Sequence, residues 1–175
     1  EKIREPFSLI LFDHHTDMQK PLFPQLLSCG SWAGELIRRN GYLKQLILVG
    51  PKRGSTERTN FDLKEKIIWL GEKDKENFLK ELKRIDMSLP IYISIDKDVL
   101  SPSYARTNWN QGDMSIGILE KLLLEVFRHQ KVIGVDICGE CSIQEPLQQL
   151  AEDENINKET NDSLYQFLKK LLPGH

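Results

Sequence analysis

Five short apolar runs, separated by longer stretches that read as helices, constrain this chain more than any other feature. Residues 7–12 (Phe-Ser-Leu-Ile-Leu-Phe), 43–49, 67–70, 89–93 and 132–137 are β-prone and too short to be helices. Residues 31–40, 75–85, 116–129 and 163–172 read as helices, most clearly 116–129, where Ile118, Leu119, Leu122, Leu123, Val126 and Phe127 recur at helical period. Strands that alternate with helices of this length need crossover connections, so the expected fold is α/β, a three-layer α/β/α sandwich around a mainly parallel sheet. In such sheets ligands bind beyond the carboxyl ends of the strands. The residues that follow each apolar run are therefore the place to look for chemistry.

The connections carry their own signals. Residues 20–25 contain Pro21 and Pro24 and read as loop, while Gly41 is placed to cap the helix that precedes it. Gly50-Pro51-Lys52-Arg53-Gly54-Ser55-Thr56 has only three residues between its glycines and no Lys before Ser55, so it reads as a surface loop rather than a phosphate cradle. Residues 101–112 are rich in Ser, Pro, Asn and Gly and form a long connection; the acidic residues 151–162 are expected to be an exposed loop. No repeat or linker divides the chain, which reads as a single domain over residues 1–175. Because Glu1 is not Met and the first strand begins almost at once, an N-terminal segment is expected to precede it.

Composition excludes several classes of partner. The 24 Lys+Arg against 26 Asp+Glu give a net charge of -2 with both signs interspersed, which argues against nucleic acid as a partner; a small-molecule substrate is the expected one. No apolar run approaches the ~18 residues needed to span a bilayer, so no membrane role is expected. Three cysteines suit a reducing compartment, and the reading is of a cytoplasmic protein.

Two acidic clusters close two of the apolar runs. Asp13-His14-His15-Thr16-Asp17 follows the first and Asp96-Lys97-Asp98 follows Ile91-Tyr92-Ile93-Ser94-Ile95. Asp13, His15 and Asp17 stand at alternate positions, and Asp96 and Asp98 would add further hard ligands if the two strand ends converge. Carboxylates with an imidazole suit Mn, Fe or Zn. The plainer reading is that such strand-end Asp residues cap the next turn. His14 should project away from His15 in a structural or supporting role, His129 should meet a helix C-terminus, and Trp69 should be core.

These residues resemble a known family. Phe12-Asp13-His14-His15-Thr16-Asp17 is similar to the DxHxD signature of the arginase and agmatinase (ureohydrolase) superfamily, and Ser94-Ile95-Asp96-Lys97-Asp98-Val99-Leu100-Ser101-Pro102 to its SxDxDxxDP signature, in the same order. Gly134-Val135-Asp136-Ile137 resembles the family's last strand, and the likeness spans roughly residues 7 to 141. The resemblance implies an arginase-like fold, a tendency to form homo-oligomers, and a Mn-dependent hydrolase of linear C–N bonds in a guanidino or amide compound, working through a metal-activated hydroxide. It implies that Asp13 and Asp96 bridge two Mn2+ ions, that His15 and Asp98 complete one of them and that Asp17 serves the other. It also implies catalytic roles for Asp98, as proton acceptor, and Glu140, and a substrate-binding rim of Trp32, Asn108 and Trp109.

The chain departs from the family at four points. No His lies upstream of His14 to complete the Asp17 site, so two Mn2+ are expected if a preceding segment supplies one and a single Mn2+ or Zn2+ otherwise. Trp32 stands in the stretch where the family places a proton-shuttling His, and Trp cannot shuttle a proton. Ser101 replaces the last Asp of the second signature, and Gly139 occupies the position of a substrate-binding Glu, with Glu140 one place late. The alternatives are a single-metal deacetylase-like amidohydrolase built on Asp13, His15 and Asp96, and a catalytically silent binding domain. A further alternative is dithiol chemistry at Cys138-Gly139-Glu140-Cys141, since CxxC after a strand marks some redox sites.

Overall fold

The computed structural model describes residues 3–21, 23, 26–51, 65–71, 78–141 and 146–172. Within them the chain alternates strands and helices: β1 (Phe7–Phe12), α1 (Trp32–Arg39), β2 (Leu43–Gly50), β3 (Ile67–Gly71), α2 (Phe78–Leu82), β4 (Ile91–Asp96), α3 (Ile116–His129), β5 (Val132–Cys138) and α4 (Leu147–Leu171). A 3₁₀ turn, Lys97–Val99, continues directly from β4. Most of the loop expected at 50–56, and the first residues of the helix expected at 75–85, lie outside the described residues.

All four strand pairings are parallel, in the order β3-β2-β1-β4-β5. β1 is central, and every one of its six residues is buried. That explains its apolar run, in which Ser8 is the one polar residue, because a strand covered on both faces has no side to leave polar. Period-two alternation sorts its side chains. Ile10 and Phe12 join Ile47, Val49, Ile93 and Ile95 in one core cluster with α2, α3 and α4, through residues such as Leu119, Leu123, Val126 and Leu164. Leu9 and Leu11 face the other way and pack with Leu46, Leu48, Ala33 and Ile37 of α1. Helices on both faces of a parallel sheet give the three layers expected.

Chain order reverses between β1 and β4. β2 and β3 add on one side of β1, and β4 and β5 on the other. A crevice opens at such a switch point, beyond the carboxyl ends of the two strands. The register pairs Phe12 with Ile95, so the next residue on each strand, Asp13 and Asp96, opens onto that crevice.

Three expectations need correction. Residues 151–162 are not a loop: α4 runs unbroken from Leu147 to Leu171. Its inward stripe is Asp153, Asn157, Thr160, Leu164 and Leu168, at helical spacing. Three of those five are polar, so the apolar period vanishes over the first half of the helix. At the end of α1 it is Asn40, in extended conformation, whose N–H bonds the Leu36 carbonyl. Gly41 does not take the positive φ of a C-terminal glycine cap; among the described glycines positive φ is confined to Gly50 and Gly139. The fourth strand begins at Ile91, after Pro90, rather than at Leu89.

Candidate metal centre

β1 holds its ladder one residue past its end, because the Asp13 N–H still bonds the Val49 carbonyl at 3.0 Å. Gly50 makes room there: with φ +119, its backbone lies so close that a Cβ would stand 2.2 Å from the Asp13 carbonyl oxygen. The chain then turns sharply. His15 N–H donates to Asp13 Oδ1 at 2.6 Å, and His14 N–H donates to Asp98 Oδ1 at 2.9 Å. From the other strand, Asp96 caps the 3₁₀ turn by accepting the Asp98 N–H on Oδ1 at 3.0 Å. The capping reading of these Asp residues therefore holds for Asp96, and the same cap carries Asp98 into the crevice.

The result is a compact donor set. His15 Nδ1 lies 2.7 Å from Asp98 Oδ2 and 3.6 Å from Asp13 Oδ1. Among the described residues, Asp13, His15 and Asp98 form a group whose ligand atoms all lie within 4.8 Å of one another. Asp13 and Asp98 are almost wholly buried, at 1% and 2% exposure. Asp13 Oδ2 is buried with no hydrogen-bond partner, an arrangement that costs the full desolvation of a charged oxygen.

The electrostatics show what the group lacks. Burial pushes the Asp13 carboxyl up to about 9, and the charges of Asp98 and Asp17 push the same way against its bonds to His15. His15 is likewise raised to about 9, first by pairing with Asp13 and then by the charge of Asp98, although Asp98 makes the shorter contact. Burial lifts Asp17 to about 6, with the Trp32 N–H opposing and Asp96 and Asp98 reinforcing. Asp96 is raised by burial and by Asp98. Four carboxylates thus crowd one crevice around His15, and their neighbours' charges make Asp13, Asp17 and Asp96 harder to ionise. A divalent cation bound by oxygen and imidazole donors would satisfy the orphaned Asp13 oxygen and reverse these shifts, so the residues present fit Mn2+, Fe2+ or Zn2+.

Asp17 stands apart from the compact group. It is the one non-glycine described with positive φ, +49, a conformation in which strain gathers at functional sites. Its carbonyl accepts the Gly34 N–H at 3.1 Å, and its Oδ2 accepts the Trp32 indole N–H at 2.6 Å. Trp32, expected at a substrate rim, is thus the first residue of α1 and a partner of Asp17. Trp109 is half exposed, its ring 6.0 Å from that of His15 between centroids, and Asn108 is exposed beside it. His14 meets His15 edge-on at 5.1 Å rather than pointing away. Trp69 packs against the α1-side core, and His129 Nδ1 lies 2.9 Å from the Glu125 carbonyl at the end of α3.

Glu140 reaches no member of this group through a hydrogen bond or ion pair. Its Oε1 accepts from Lys97 Nζ at 2.6 Å and its Oε2 from Asn157 Nδ2 at 3.0 Å. Lys97 is fully buried, a role not apparent from its place between two aspartates. Cys138 and Cys141 are free thiols; Cys138 donates to Asp96 Oδ2 at 3.5 Å. Burial and then the Asp96 charge push the Cys138 thiol far up, the opposite of the depressed pKa that a nucleophilic CxxC requires.

Comparison with known proteins places these observations. The model of the arginase family matches residues 1–143. An uncharacterised protein of Thermotoga maritima is 34% identical over 183 residues, covering 99% of this chain and 64% of the relative. Among solved structures, formimidoylglutamase from Bacillus subtilis superposes with a TM-score of 0.67 at 16% identity, covering 98% of this chain and 56% of that one. A hypothetical agmatinase from Burkholderia thailandensis gives 0.61 at 22% identity, with 95% and 53% covered. The chain therefore has the fold of these enzymes but spans less than two thirds of the length of each. Among the described residues no helix is long and apolar enough to cross a membrane.

Proposed function

Because this chain belongs to the arginase family, we propose that it carries a divalent-cation hydrolase site acting on a linear C–N bond of a guanidino or amide compound. The observation that carries the reading is the buried Asp13, His15 and Asp98 group with its unpartnered Asp13 oxygen. Asp13, His15 and Asp98 would hold the cation, Mn2+ by family resemblance, with Asp96 and Asp17 alongside for a second. When bound, the cation supplies Lewis acidity, polarising the C–N carbon and making water acidic enough to attack near neutral pH.

The chain's own groups supply the rest. Asp98 takes up the proton that the attacking water gives up; its Oδ2 already shares a hydrogen with His15 Nδ1 over 2.7 Å. Trp109, half exposed beside His15, offers a flat face against which a planar guanidino or amide group stacks. Trp32 fixes the Asp17 carboxylate through its indole N–H. Glu140, engaged by Lys97, serves the architecture of the site rather than meeting substrate directly.

A single-cation site is a second reading. It is favoured because only Asp13, His15 and Asp98 converge closely among the described residues, while Trp32 already occupies Asp17. Both readings are tested with the chain stripped by chelator, then loaded with Mn2+ or Zn2+ and offered a panel of guanidino, formimidoyl and amide compounds. The expected result is cation-dependent release of urea, formamide or ammonia. Loaded protein that hydrolyses none of the panel would leave a silent binding domain in place of a hydrolase.

A further inference from the structure

α4 lies wholly beyond residues 1–143, the part that matches the family, yet the first half of its buried face is polar. Asn157 is 2% exposed and uses every hydrogen-bonding atom of its side chain. Its Oδ1 accepts the Arg106 N–H at 2.8 Å, and its Nδ2 donates to the Arg106 carbonyl at 2.7 Å and to Glu140 Oε2 at 3.0 Å. We infer that Asn157 is a positioning residue for the metal centre, holding the two segments that fix Asp96 and Asp98. The inference rests on the cation-site reading above.

The first route runs through Glu140. With one oxygen held by Asn157, its other oxygen meets Lys97 Nζ and is, among the described residues, the charge partner of that wholly buried ammonium. A buried ammonium without its partner is costly, so this contact decides where Lys97 and the Asp96–Asp98 turn settle. Gly139, beside Glu140, packs its backbone on the same turn, where a Cβ would stand 2.4 Å from Asp96 Oδ1 and 2.9 Å from Lys97 N.

The second route runs through Arg106. By bonding both its N–H and its carbonyl, Asn157 pins the loop that leaves the 3₁₀ turn. Gln111 Nε2 then bonds the Ala105 and Leu100 carbonyls at 3.0 and 3.2 Å, and the Gly112 N–H bonds the Asp98 carbonyl at 2.7 Å. Both routes end on the segment that presents the two aspartates. Thr160, one turn further along α4, is a matched comparison: it is buried and bonds the Tyr104 carbonyl but does not touch Glu140.

The test is Mn2+ titration of chelator-stripped chain, with unfolding measured on the same samples. Wild type should saturate. Asn157→Ala should bind Mn2+ at least ~10-fold more weakly, the size expected when a supporting partner of a metal ligand is lost. Thr160→Val should stay within about twofold of wild type even where both variants lose similar stability, and Asn157→Ala added to Glu140→Gln should weaken binding no further than Glu140→Gln alone. Should Asn157→Ala fail to fold, Asn157→Ser carries the same comparison. Equal losses in Asn157→Ala and Thr160→Val, or no loss in either, would reduce Asn157 to ordinary packing. A wild type that never saturates would instead overturn the cation-site reading, and this inference with it.

Discussion

Gly139→Ala is a one-methyl test of how tightly the second strand end is built. Gly139 has φ +88, on the side of backbone space where a Cβ costs roughly 1–2 kcal/mol. The new methyl would stand 2.4 Å from Asp96 Oδ1, 2.9 Å from Lys97 N and 3.3 Å from Lys97 Cβ. Lys97 N belongs to the backbone leaving β4 and cannot yield cheaply, so the relief must come from Asp96. Swinging that carboxylate breaks its cap on the Asp98 N–H, worth about 0.5–2 kcal/mol. Together the terms predict a loss of about 1.5–4 kcal/mol, measured by urea unfolding, with weaker Mn2+ binding. Gly117→Ala is the control: the site is helical and open, with nothing within 4 Å, so it should gain up to ~1 kcal/mol. The same Cβ is part of every larger residue, so Gly139→Glu, which restores the carboxylate the family resemblance places there, should lose metal affinity rather than gain activity. A Gly139→Ala chain as stable as wild type, with unchanged Mn2+ affinity, would refute the reasoning.

The remaining predictions concern charge. Without a cation, Asp13 (3.8 to about 9), Asp17 (3.8 to about 6) and His15 (6.5 to about 9) all hold protons in the folded chain that the unfolded chain has released. The stability of the stripped chain should therefore fall as pH rises from about 4 to about 9, by ~1.4 kcal/mol per pH unit for each extra proton held. Saturating Mn2+ displaces those protons, so the stabilisation it confers should grow across the same window; thermal melts from pH 5 to 9 with and without Mn2+ check both signs, and a flat or rising profile in chelator would contradict them. Asp13→Asn removes the buried carboxyl that must take up a proton as the chain folds and whose Oδ2 has no partner. It should raise the melting temperature of the stripped chain at pH 8, by about 2–4 °C per kcal/mol recovered, while abolishing the response to Mn2+.

Much of this architecture was legible in the sequence because the centre of a parallel sheet is chemically unambiguous. Phe7 to Phe12 is apolar at every position but Ser8 because both faces are covered, and the first charged residue after it, Asp13, marks where the cover ends. The same logic located Asp96 and Asp98. What stayed hidden depends on pairings across long stretches of chain. Lys97 looks like a solvent residue until Glu140, 43 positions away, supplies its counter-charge. Asn157 and Asp153 made the first half of α4 look like an acidic loop, because their partners at Arg106 lie 51 and 47 residues distant and leave no periodic trace. The family resemblance puts Trp32 at the pocket rim, but the bond from its indole N–H to Asp17, fifteen residues back across a turn where Asp17 has φ +49, has no signal in the sequence.

On the proposed function, the crowded carboxylates around His15 exist to hold a divalent cation. Calorimetric titration of chelator-stripped wild-type chain with MnCl2 at pH 7.5, repeated in buffers of different ionisation enthalpy, tests it most directly. Saturable binding of one or two Mn2+ per chain is expected, with net proton release from Asp13 and His15, and loss of that binding in Asp98→Ala. No saturable binding, or binding with no proton release that persists in Asp98→Ala, would contradict it.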